Sequence, residues 1–322
     1  MAKKQRATEA RKRQREIRWE STHPAARPNS RVVRRKRNTA WWWIGGIVLV
    51  CAIAIAIFFL NANNQQQAQN QNVADNTNAG DTTVLKEVTS VPAAVRRAVN
   101  TGGLTSIVTP ISGKPALTGS DGKPEFFYYG AEWCPYCAAN RWSMIVALSQ
   151  FGAFKNLPQT FSSSIDIDSN TPTFTFVNTG YTSSYIDFVP LENQDRNHNT
   201  IETPTAAQQN LLTEFNVQGY PFLDIGNKYR AGALYDPGTL TNLSQAQVAS
   251  KLSNPHDPVT QNIVGAANYL TAAICSVTQN TPANVCTQAP IPTLETTISQ
   301  GQSSTLPGVS QSMLAYVNEE RQ

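Results

Sequence analysis

The sequence predicts an α/β domain held to a membrane by a single helix. Three observations support this prediction. Residues 41–60 form an apolar run without a charged residue, an aromatic strand pattern at 125–130 leads into a helix that opens with a Cys-x-x-Cys motif, and a hairpin pattern follows at 222–234. With 322 residues and 40% hydrophobic content, the chain can hold one good-sized domain plus appendages.

The first forty residues form a strongly basic tail. Residues 1–40 hold 14 Lys/Arg and 3 Asp/Glu, whereas the rest of the chain holds 12 and 19, so the net charge of +4 conceals two opposite parts. A run such as Arg34-Arg35-Lys36-Arg37 binds phosphate non-specifically, which makes nucleic acid one candidate partner. The apolar run that follows favours attraction to the lipid bilayer instead, and we expect no nucleic-acid partner.

Residues 41–60 are predicted to be a transmembrane helix. Twenty residues at a rise of 1.5 Å span roughly 30 Å, the thickness of the hydrocarbon core. Trp41-Trp42-Trp43 would lie at the interface, with the basic tail in the cytoplasm. A cleaved signal peptide is the alternative, but the run is longer than a usual h-region and Phe58-Phe59-Leu60-Asn61 offers no small-x-small cleavage site. We therefore expect a single-pass type II protein of the cell membrane.

Composition divides the remaining chain into three parts. Residues 61–83 are rich in Asn, Gln, Ala and Asp and predict a flexible polar stalk. Residues 84–288 carry the strand and helix patterns of an extracytoplasmic domain. From residue 289 to 322, Ser, Thr, Gln and Pro predominate, which predicts a loosely ordered tail with one weak helix near 313–318.

The motif at the centre of the domain is Cys134-Pro135-Tyr136-Cys137. The strand pattern Glu125–Gly130 precedes it, and the helix that it opens continues to about Gly152. Free backbone N–H groups and the helix dipole would stabilise a thiolate at Cys134. Cys137 lies nearly one turn further on, within reach for a disulfide, so the pair suits an attacking sulfur backed by a resolving one.

Two other interpretations of this motif remain. Half of a zinc site would need a second pair of ligands, but the histidines are only His23, His198 and His256 and no second Cys-x-x-Cys exists, so we expect no metal. An inert disulfide closing so tight a loop would add little stability. The sequence favours a redox-active pair, with no cofactor besides its own disulfide.

The other three cysteines are a single residue in the predicted membrane helix and a pair near the end of the domain. Cys51 lies within the predicted membrane helix and is expected to be a packing residue. Cys275 and Cys286, eleven residues apart, are expected to form a structural disulfide that ties a turn to the end of a helix. A second redox pair that exchanges electrons with the first is the alternative.

The other elements follow from hydrophobic periodicity and turn residues. Pro221 stands where a functional cis-proline would lie, before the strand at 222–225. We predict helices at 92–100, 203–215 and 258–277, strands at 159–166, 173–178, 185–189, 222–225 and 228–234, and a polar surface loop at 192–200.

These motifs together resemble the thioredoxin superfamily. Residues from about 82 to 288 resemble more closely a family of membrane-anchored thioredoxin-like proteins catalogued only as a domain of unknown function. The resemblance rests on Gly130 to Ala139, on Tyr220-Pro221-Phe222 with Gly226-Asn227, and on Gly265 to Leu270 followed by Cys275 and Cys286.

The resemblance implies a thioredoxin-like fold and thiol–disulfide exchange. Cys134 would be the nucleophile, Cys137 the resolving thiol and Pro221 the cis-proline facing the disulfide. Four residues beside them are expected to bind substrate: Trp133, Pro135, Tyr136 and Tyr220. The separation of 87 residues between Cys134 and Pro221 implies an insertion at roughly 166–215.

Two departures from the resemblance affect the chemistry. Tyr128 stands where thioredoxin has a buried Asp, so another group or water must carry the proton of the resolving thiol, and Glu132 and Glu125 are candidates. The Cys-Pro-Tyr-Cys motif is similar to that of glutaredoxins, but their glutathione-binding elements are missing, so no glutathione cofactor is expected.

We therefore expect an oxidant or isomerase of exported proteins. Its partners would be client protein thiols or disulfides and a membrane redox partner. The alternatives are a reductase for cytochrome or metal-chaperone thiols, and a non-catalytic thioredoxin-like interaction module.

Overall fold

The computed structural model describes residues 82–301. The predicted basic tail, the membrane helix, the stalk up to residue 81 and the helix near 313–318 lie outside these residues. Within residues 82–301, no helix is both long and apolar enough to cross a membrane.

The described residues form a mixed α/β domain, as the sequence predicts. The strands are β1 Thr109–Pro110, β2 Glu125–Gly130, β3 Gly152–Lys155, β4 Gln159–Phe161, β5 Pro172–Phe174, β6 Gly180–Ser183, β7 Asp187–Glu192, β8 Phe222–Ile225 and β9 Tyr229–Ala231. The helices are α1 Thr82–Thr89, α2 Ala93–Val99, α3 Pro135–Leu148, α4 Ala206–Glu214, α5 Gln245–Lys251, α6 Pro258–Val277, α7 Ala283–Cys286 and α8 Ile291–Ser299.

The largest sheet has five strands in the order β1-β9-β8-β2-β7. β2 and β7 are parallel, with Phe126 opposite Phe188 and Gly130 opposite Glu192. The pairs β2–β8, β8–β9 and β9–β1 are antiparallel. The β8–β9 hairpin turns at Gly226 and Asn227, which both have positive φ. The predicted strand at 125–130 and the predicted hairpin are thus confirmed.

The side chains of β2 alternate between two apolar layers. Phe126 and Tyr128 belong to the large core that includes α3 and α6, whereas Phe127 packs in a smaller cluster with Leu211 and Leu212 of α4. Successive side chains of a strand point to opposite faces, so an unbroken aromatic run requires an apolar layer on each side.

Helix α3 is buried on almost every side, with only Tyr136 partly exposed. Ser143 Oγ donates to the Ile263 carbonyl of α6 at 2.9 Å, and Gln150 Nε2 beyond the helix donates to Thr271 Oγ1 at 2.9 Å. Residue numbers increase in both segments from the first contact to the second, so α3 and α6 lie side by side and run in the same direction. This packing fixes the start of α3, which carries the cysteine pair.

Two small sheets, β3–β6 and β4–β5, lie between α3 and β7 in the chain. The segment that holds these small sheets begins soon after α3, before the start of the insertion predicted at 166–215. Its strands are also shorter than predicted, since the pattern at 159–166 yields a strand only to Phe161. From there the chain turns, and the Ser163 N–H donates to the Trp133 carbonyl at 2.8 Å rather than to a strand partner.

The C-terminal part of the domain is more ordered than the sequence suggests. Helix α8 packs against α6 and buries Ile291, Leu294 and Ile298. The sequence predicts a loosely ordered tail from residue 289 onwards. Residues 291–299 differ because their apolar side chains recur at spacings of three and four, which gives a helix one apolar face despite its polar composition.

A disulfide joins Cys275, in the last turn of α6, to Cys286 in α7, with the Cα atoms 5.5 Å apart. Replacing both cysteines with alanine is expected to lower the unfolding free energy by roughly 2 to 3 kcal/mol, because the bridge restricts the unfolded chain. Urea unfolding followed by circular dichroism would measure this. A Cys134→Ala/Cys137→Ala chain is the control, and equal midpoints for the wild type and the variant lacking Cys275 and Cys286 would contradict the prediction.

Candidate functional site

The predicted cysteine pair lies at the N-terminus of α3. Cys134 is the N-cap residue, Pro135 occupies the first helical position, and the Cys137 N–H donates to Cys134 Sγ at 3.3 Å. Proline suits that position because its fixed φ fits the first turn and no N–H is needed there. Both cysteines are free thiols. Cys134 is 4% exposed and Cys137 is fully buried, so Cys134 is the sulfur nearer to solvent.

Burial, the hydrogen bond between the two thiols and the charge of Arg141 together reverse the pKa order expected for this pair. Burial raises the pKa of the Cys134 thiol well above its ordinary value, although the Cys137 N–H favours the thiolate. Burial also opposes ionisation of Cys137, but the hydrogen bond with the Cys134 thiol and the charge of Arg141 lower the pKa of Cys137 below its ordinary value. The negative charge of the reduced pair is therefore favoured on Cys137.

The proline loop faces the more exposed sulfur. The Tyr220–Pro221 peptide bond is cis, and the Cys134 thiol lies 4.0 Å from the Tyr220 carbonyl oxygen. Pro221 is buried immediately before β8. The fold thus brings together the three residues that the sequence analysis assigned to catalysis.

An aromatic group surrounds Cys134 on the side of the proline loop. The Trp133 ring stacks on His198 with centroids 4.5 Å apart and meets Tyr220 edge to face at 5.9 Å. Trp133 Nε1 donates to Gln194 Oε1 at 2.8 Å, and the Tyr220 hydroxyl donates to Asn193 Oδ1. Two of the predicted substrate-binding residues are therefore held in place by the loop after β7.

A second part of the rim of the site carries apolar and acidic side chains. Tyr136 is partly exposed there, and burial together with Asp236 and Asp168 raises the pKa of its hydroxyl. The loop between β4 and β5 carries Ile165 and Ile167, which are 88% and 49% exposed. This rim offers an uncovered apolar surface within the same neighbourhood as the cysteine pair.

A buried ion pair below the cysteines was missed by the sequence analysis. Arg141 Nε donates to Glu192 Oε1 at 2.8 Å and Nη2 donates to Oε2 at 2.7 Å, with both side chains fully buried. The assignment of Glu192 to a surface loop was wrong, because β7 extends to it and pairs it with Gly130. One feature of the sequence could have pointed to Arg141. Arg141 is the single charged residue of α3 and follows Cys137 by four residues, so the two share a helix face.

The two glutamates considered for proton transfer lie in different places. Glu132 is beside the site, and its pKa is raised by burial. Glu125 begins β2, a strand whose six residues span roughly 17 to 20 Å and whose other end precedes the cysteines. Burial and the charges of Asp187 and Asp224 raise the pKa of Glu125 to about 7, away from the site. Of the two, only Glu132 lies near the cysteines.

The two cysteine pairs lie at opposite ends of the α3–α6 packing. Gln150 contacts Thr271, one turn before Cys275, whereas Cys134 lies at the other end of the 14-residue helix α3. At 1.5 Å per residue, the pairs are roughly 20 Å apart. At this separation, direct exchange between Cys134 and the Cys275–Cys286 disulfide cannot occur in this conformation.

Fold and site together define the class of this protein: a mixed α/β domain with a free cysteine pair at a helix N-terminus, facing a cis-proline loop. Residues 114–221, about a third of the chain, match the model of a domain of unknown function, DUF929, which confirms that part of the predicted resemblance. The matched range contains Cys134, Cys137, the Arg141–Glu192 pair and Pro221. No curated protein and no solved structure matches the chain.

Proposed function

We propose that this protein is a membrane-anchored, extracytoplasmic thiol–disulfide oxidoreductase with a thioredoxin-like fold. The observation that carries the proposal is the free pair Cys134 and Cys137 at the start of α3, facing the loop of cis-Pro221. The order β7-β2-β8-β9 supports the fold. It combines a parallel pair connected through the cysteine-bearing helix with an antiparallel hairpin, as expected of the thioredoxin superfamily.

The chemistry is exchange between two thiols and one disulfide. The Cys134 thiolate attacks a client disulfide, one client sulfur leaves and takes a proton, and a mixed disulfide forms. Cys137 then attacks Cys134 Sγ, the bond to the client breaks, and the second client sulfur leaves with the other proton. Two electrons pass from the cysteine pair to the client. Run in reverse, the same steps oxidise two client thiols.

The surrounding residues suit an extended polypeptide client. The Tyr220–Pro221 segment presents its backbone beside Cys134, the Trp133 ring meets Tyr220, and Tyr136 is partly exposed in the first turn of α3. Pro135 is buried at the first helical position, where it fixes the turn that carries the cysteine pair. The exposed isoleucines Ile165 and Ile167 extend the apolar rim on which a client segment would lie.

We favour the oxidising direction. The positive charge of Arg141 stabilises a thiolate in the reduced pair, and a stabilised reduced form makes a disulfide a stronger oxidant. A reduction potential near about −120 mV would agree with an oxidant or isomerase that a membrane partner re-oxidises, whereas a value near about −270 mV would indicate a reductase.

A second candidate is a non-catalytic interaction module. The observation that favours it is the low exposure of Cys134 together with the raised pKa of its thiol. A module of this kind would use its surface to bind another envelope protein without exchanging electrons.

The location is part of the proposal. The uncharged residues 41–60 would span the membrane and the basic residues 1–40 would remain in the cytoplasm. The domain would then face an oxidising compartment, in agreement with the Cys275–Cys286 disulfide.

Cys137→Ala in the full chain is expected to accumulate mixed disulfides with client proteins, because nothing then resolves the bond to Cys134. Cells treated with an alkylating reagent and analysed on non-reducing gels would show bands that disappear on reduction. Cys134→Ala/Cys137→Ala is the control and should show none. Equal band patterns for the two variants would reject the oxidoreductase and favour the interaction module.

A further inference from the structure

The guanidinium of Arg141, near the cysteine pair, has N–H groups that donate to no hydrogen-bond acceptor. Its Nε and Nη2 donate to Glu192, and Nη2 also donates to the Ala131 carbonyl at 2.9 Å. Its Nη1, with two further N–H groups, is buried without a hydrogen-bond partner. An unpaired buried donor of a charged group costs free energy, so its presence at this position calls for an explanation.

The hydroxyl of Tyr128 is a second buried donor without a partner. The Tyr128 ring faces the Arg141 guanidinium, with 5.9 Å between the guanidinium carbon and the ring centroid. Its hydroxyl lies against Gly130, where an added Cβ would fall only 2.0 Å from the oxygen. Glycine at position 130 thus leaves the space that lets the hydroxyl extend towards the end of β2, where the chain enters the cysteine motif.

Both unpaired donors converge on the side of α3 that carries Cys137. Arg141 follows Cys137 by one helical turn, and the Tyr128 side chain, which projects from the adjacent strand, lies close enough to Cys137 for the sulfur to act on the ionisation of its hydroxyl. A thiol makes weak hydrogen bonds, whereas a thiolate is an anion that accepts from several donors. Two donors left unpaired beside a neutral thiol would therefore find an acceptor once that sulfur ionises.

We propose that Arg141 and Tyr128 stabilise Cys137 as a thiolate, and that Glu192 is the positioning residue that holds the guanidinium in place. The proposal rests on the oxidoreductase function and deepens it, because it assigns the resolving step to specific groups. Tyr128 thereby takes over, as a neutral donor, the position that thioredoxin gives to a carboxyl group.

The step concerned is the resolution of the mixed disulfide. Cys137 loses its proton to solvent, its thiolate sulfur bonds to Cys134 Sγ, and the Cys134–client bond breaks. The client sulfur leaves with the electron pair of that bond and is protonated from solvent. Arg141 and Tyr128 release no proton in this cycle; they lower the free energy of the charged sulfur before attack.

The protonation states of the surrounding groups agree with these roles. Burial raises the pKa of Tyr128 well above its ordinary value, so the hydroxyl remains a donor. Burial opposes the charge of Arg141, but the nearby carboxylate of Glu192 keeps the pKa of Arg141 well above its ordinary value. Cys134, the Ala131 N–H, Glu192 and Tyr220 also interact with Cys137, by hydrogen bonds or by charge. Glu132 interacts by charge with the Arg141–Glu192 pair.

The first test is Tyr128→Phe, which removes only the hydroxyl oxygen. The ionisation of Cys137 would be followed by thiolate absorbance in the full chain, purified in detergent, with Cys51→Ala and Cys134→Ser. Serine retains a hydroxyl donor at position 134. We expect Tyr128→Phe to raise the pKa of Cys137, with a change on the order of tenfold in the ionisation constant. The urea midpoint should remain equal or rise, since the lost hydroxyl has no partner.

Tyr235→Phe is the matched control. It removes another buried tyrosine hydroxyl, one that donates to the Ala139 carbonyl of the same helix at 2.7 Å. This control should lower the urea midpoint and leave Cys137 ionisation unchanged. If both variants move the ionisation of Cys137 equally, the effect is a general one on α3 and the proposal fails.

The second test replaces the ion pair as a unit, with Arg141→Met/Glu192→Leu. Apolar residues of similar volume allow the fold to persist without either charge. We expect the pKa of Cys137 to rise by more than in Tyr128→Phe. In the chain with both cysteines, the reduction potential against glutathione should fall by about 30 mV for each tenfold loss in thiolate stability.

Unchanged Cys137 ionisation in both Tyr128→Phe and Arg141→Met/Glu192→Leu would overturn the proposal. The titration needs no client, so it reports on these groups even if no exchange occurs. Failure of the oxidoreductase function would appear elsewhere, as the absence of mixed disulfides in Cys137→Ala.

Discussion

Glu192→Gln is expected to lower the unfolding free energy by about 3 to 5 kcal/mol, because it leaves the Arg141 guanidinium buried without a counter-charge. Both side chains are fully buried, and the carboxylate receives two hydrogen bonds of 2.8 and 2.7 Å from Arg141. Water cannot replace the lost carboxylate without opening the packing between β7 and α3. Urea unfolding of the wild type and the variant, followed by circular dichroism, would measure the difference.

Two controls define what this loss means. Glu214→Gln makes the same change in the exposed ion pair with Lys114 and should cost less than about 1 kcal/mol. Arg141→Met/Glu192→Leu should lie near the wild type or above it, because apolar replacement removes the desolvation cost of both charges. A double variant as unstable as Glu192→Gln would show that the pair contributes through packing rather than through charge.

The parts of the fold that were predicted correctly depend on neighbouring residues. The aromatic run of β2, Asp257 at the start of α6 and the Gly226-Asn227 turn each have a local physical cause. Asp257 accepts a hydrogen bond from the Val259 N–H at 2.9 Å, which caps the helix predicted to begin at Pro258. Signals of this kind require no knowledge of the rest of the chain.

The parts that were missed depend on contacts between distant residues. Arg141 and Glu192 are separated by 51 positions and meet only because β7 pairs in parallel with β2. A polar sequence from residue 192 onwards indicates a loop, and nothing local indicates that its first carboxylate is buried. Once β7 lies beside β2, the carboxylate faces the one charged side chain of α3.

The same limit explains the reversed expectation for Cys134. The helix N-terminus is a local feature and favours a thiolate there, as the hydrogen bond from the Cys137 N–H shows. Burial by the Tyr220–Pro221 loop is not local, since that loop lies 86 positions further along. In the folded domain, the cost of removing the sulfur from water exceeds the stabilisation of the thiolate by the helix N-terminus, so the pKa of Cys134 rises.

The unfolding free energy is expected to fall as pH rises from about 4 to about 7, by up to about 3 kcal/mol from Asp224 alone. Asp224 is fully buried in β8, where Oδ1 accepts from the Asn227 N–H at 2.7 Å and Oδ2 has no partner. Burial raises the pKa of Asp224 from 3.8 to about 6, and burial with nearby carboxylates raises that of Glu125 to about 7.

The sign follows from proton binding. Between the unfolded and folded pKa values, the folded chain holds more protons, so rising pH removes stability. Asp224 contributes no cost below about pH 4, where it is protonated in both states, and its full cost above about pH 6, where it is charged in both. Glu125 extends the window to about pH 7. Its shift is partly screened by solvent, so its contribution is smaller.

Asp224→Asn is expected to remove most of this pH dependence and to stabilise the domain at pH 7.5. Asparagine retains an acceptor for the Asn227 N–H but carries no charge, and its neutral side chain also lowers the pKa of Glu125. Urea unfolding at several values between pH 4 and pH 8 measures the slope, with Glu214→Gln as the exposed control. Parallel slopes for Asp224→Asn and the wild type would show that the pH dependence originates elsewhere, with Glu125 as the next carboxylate to replace.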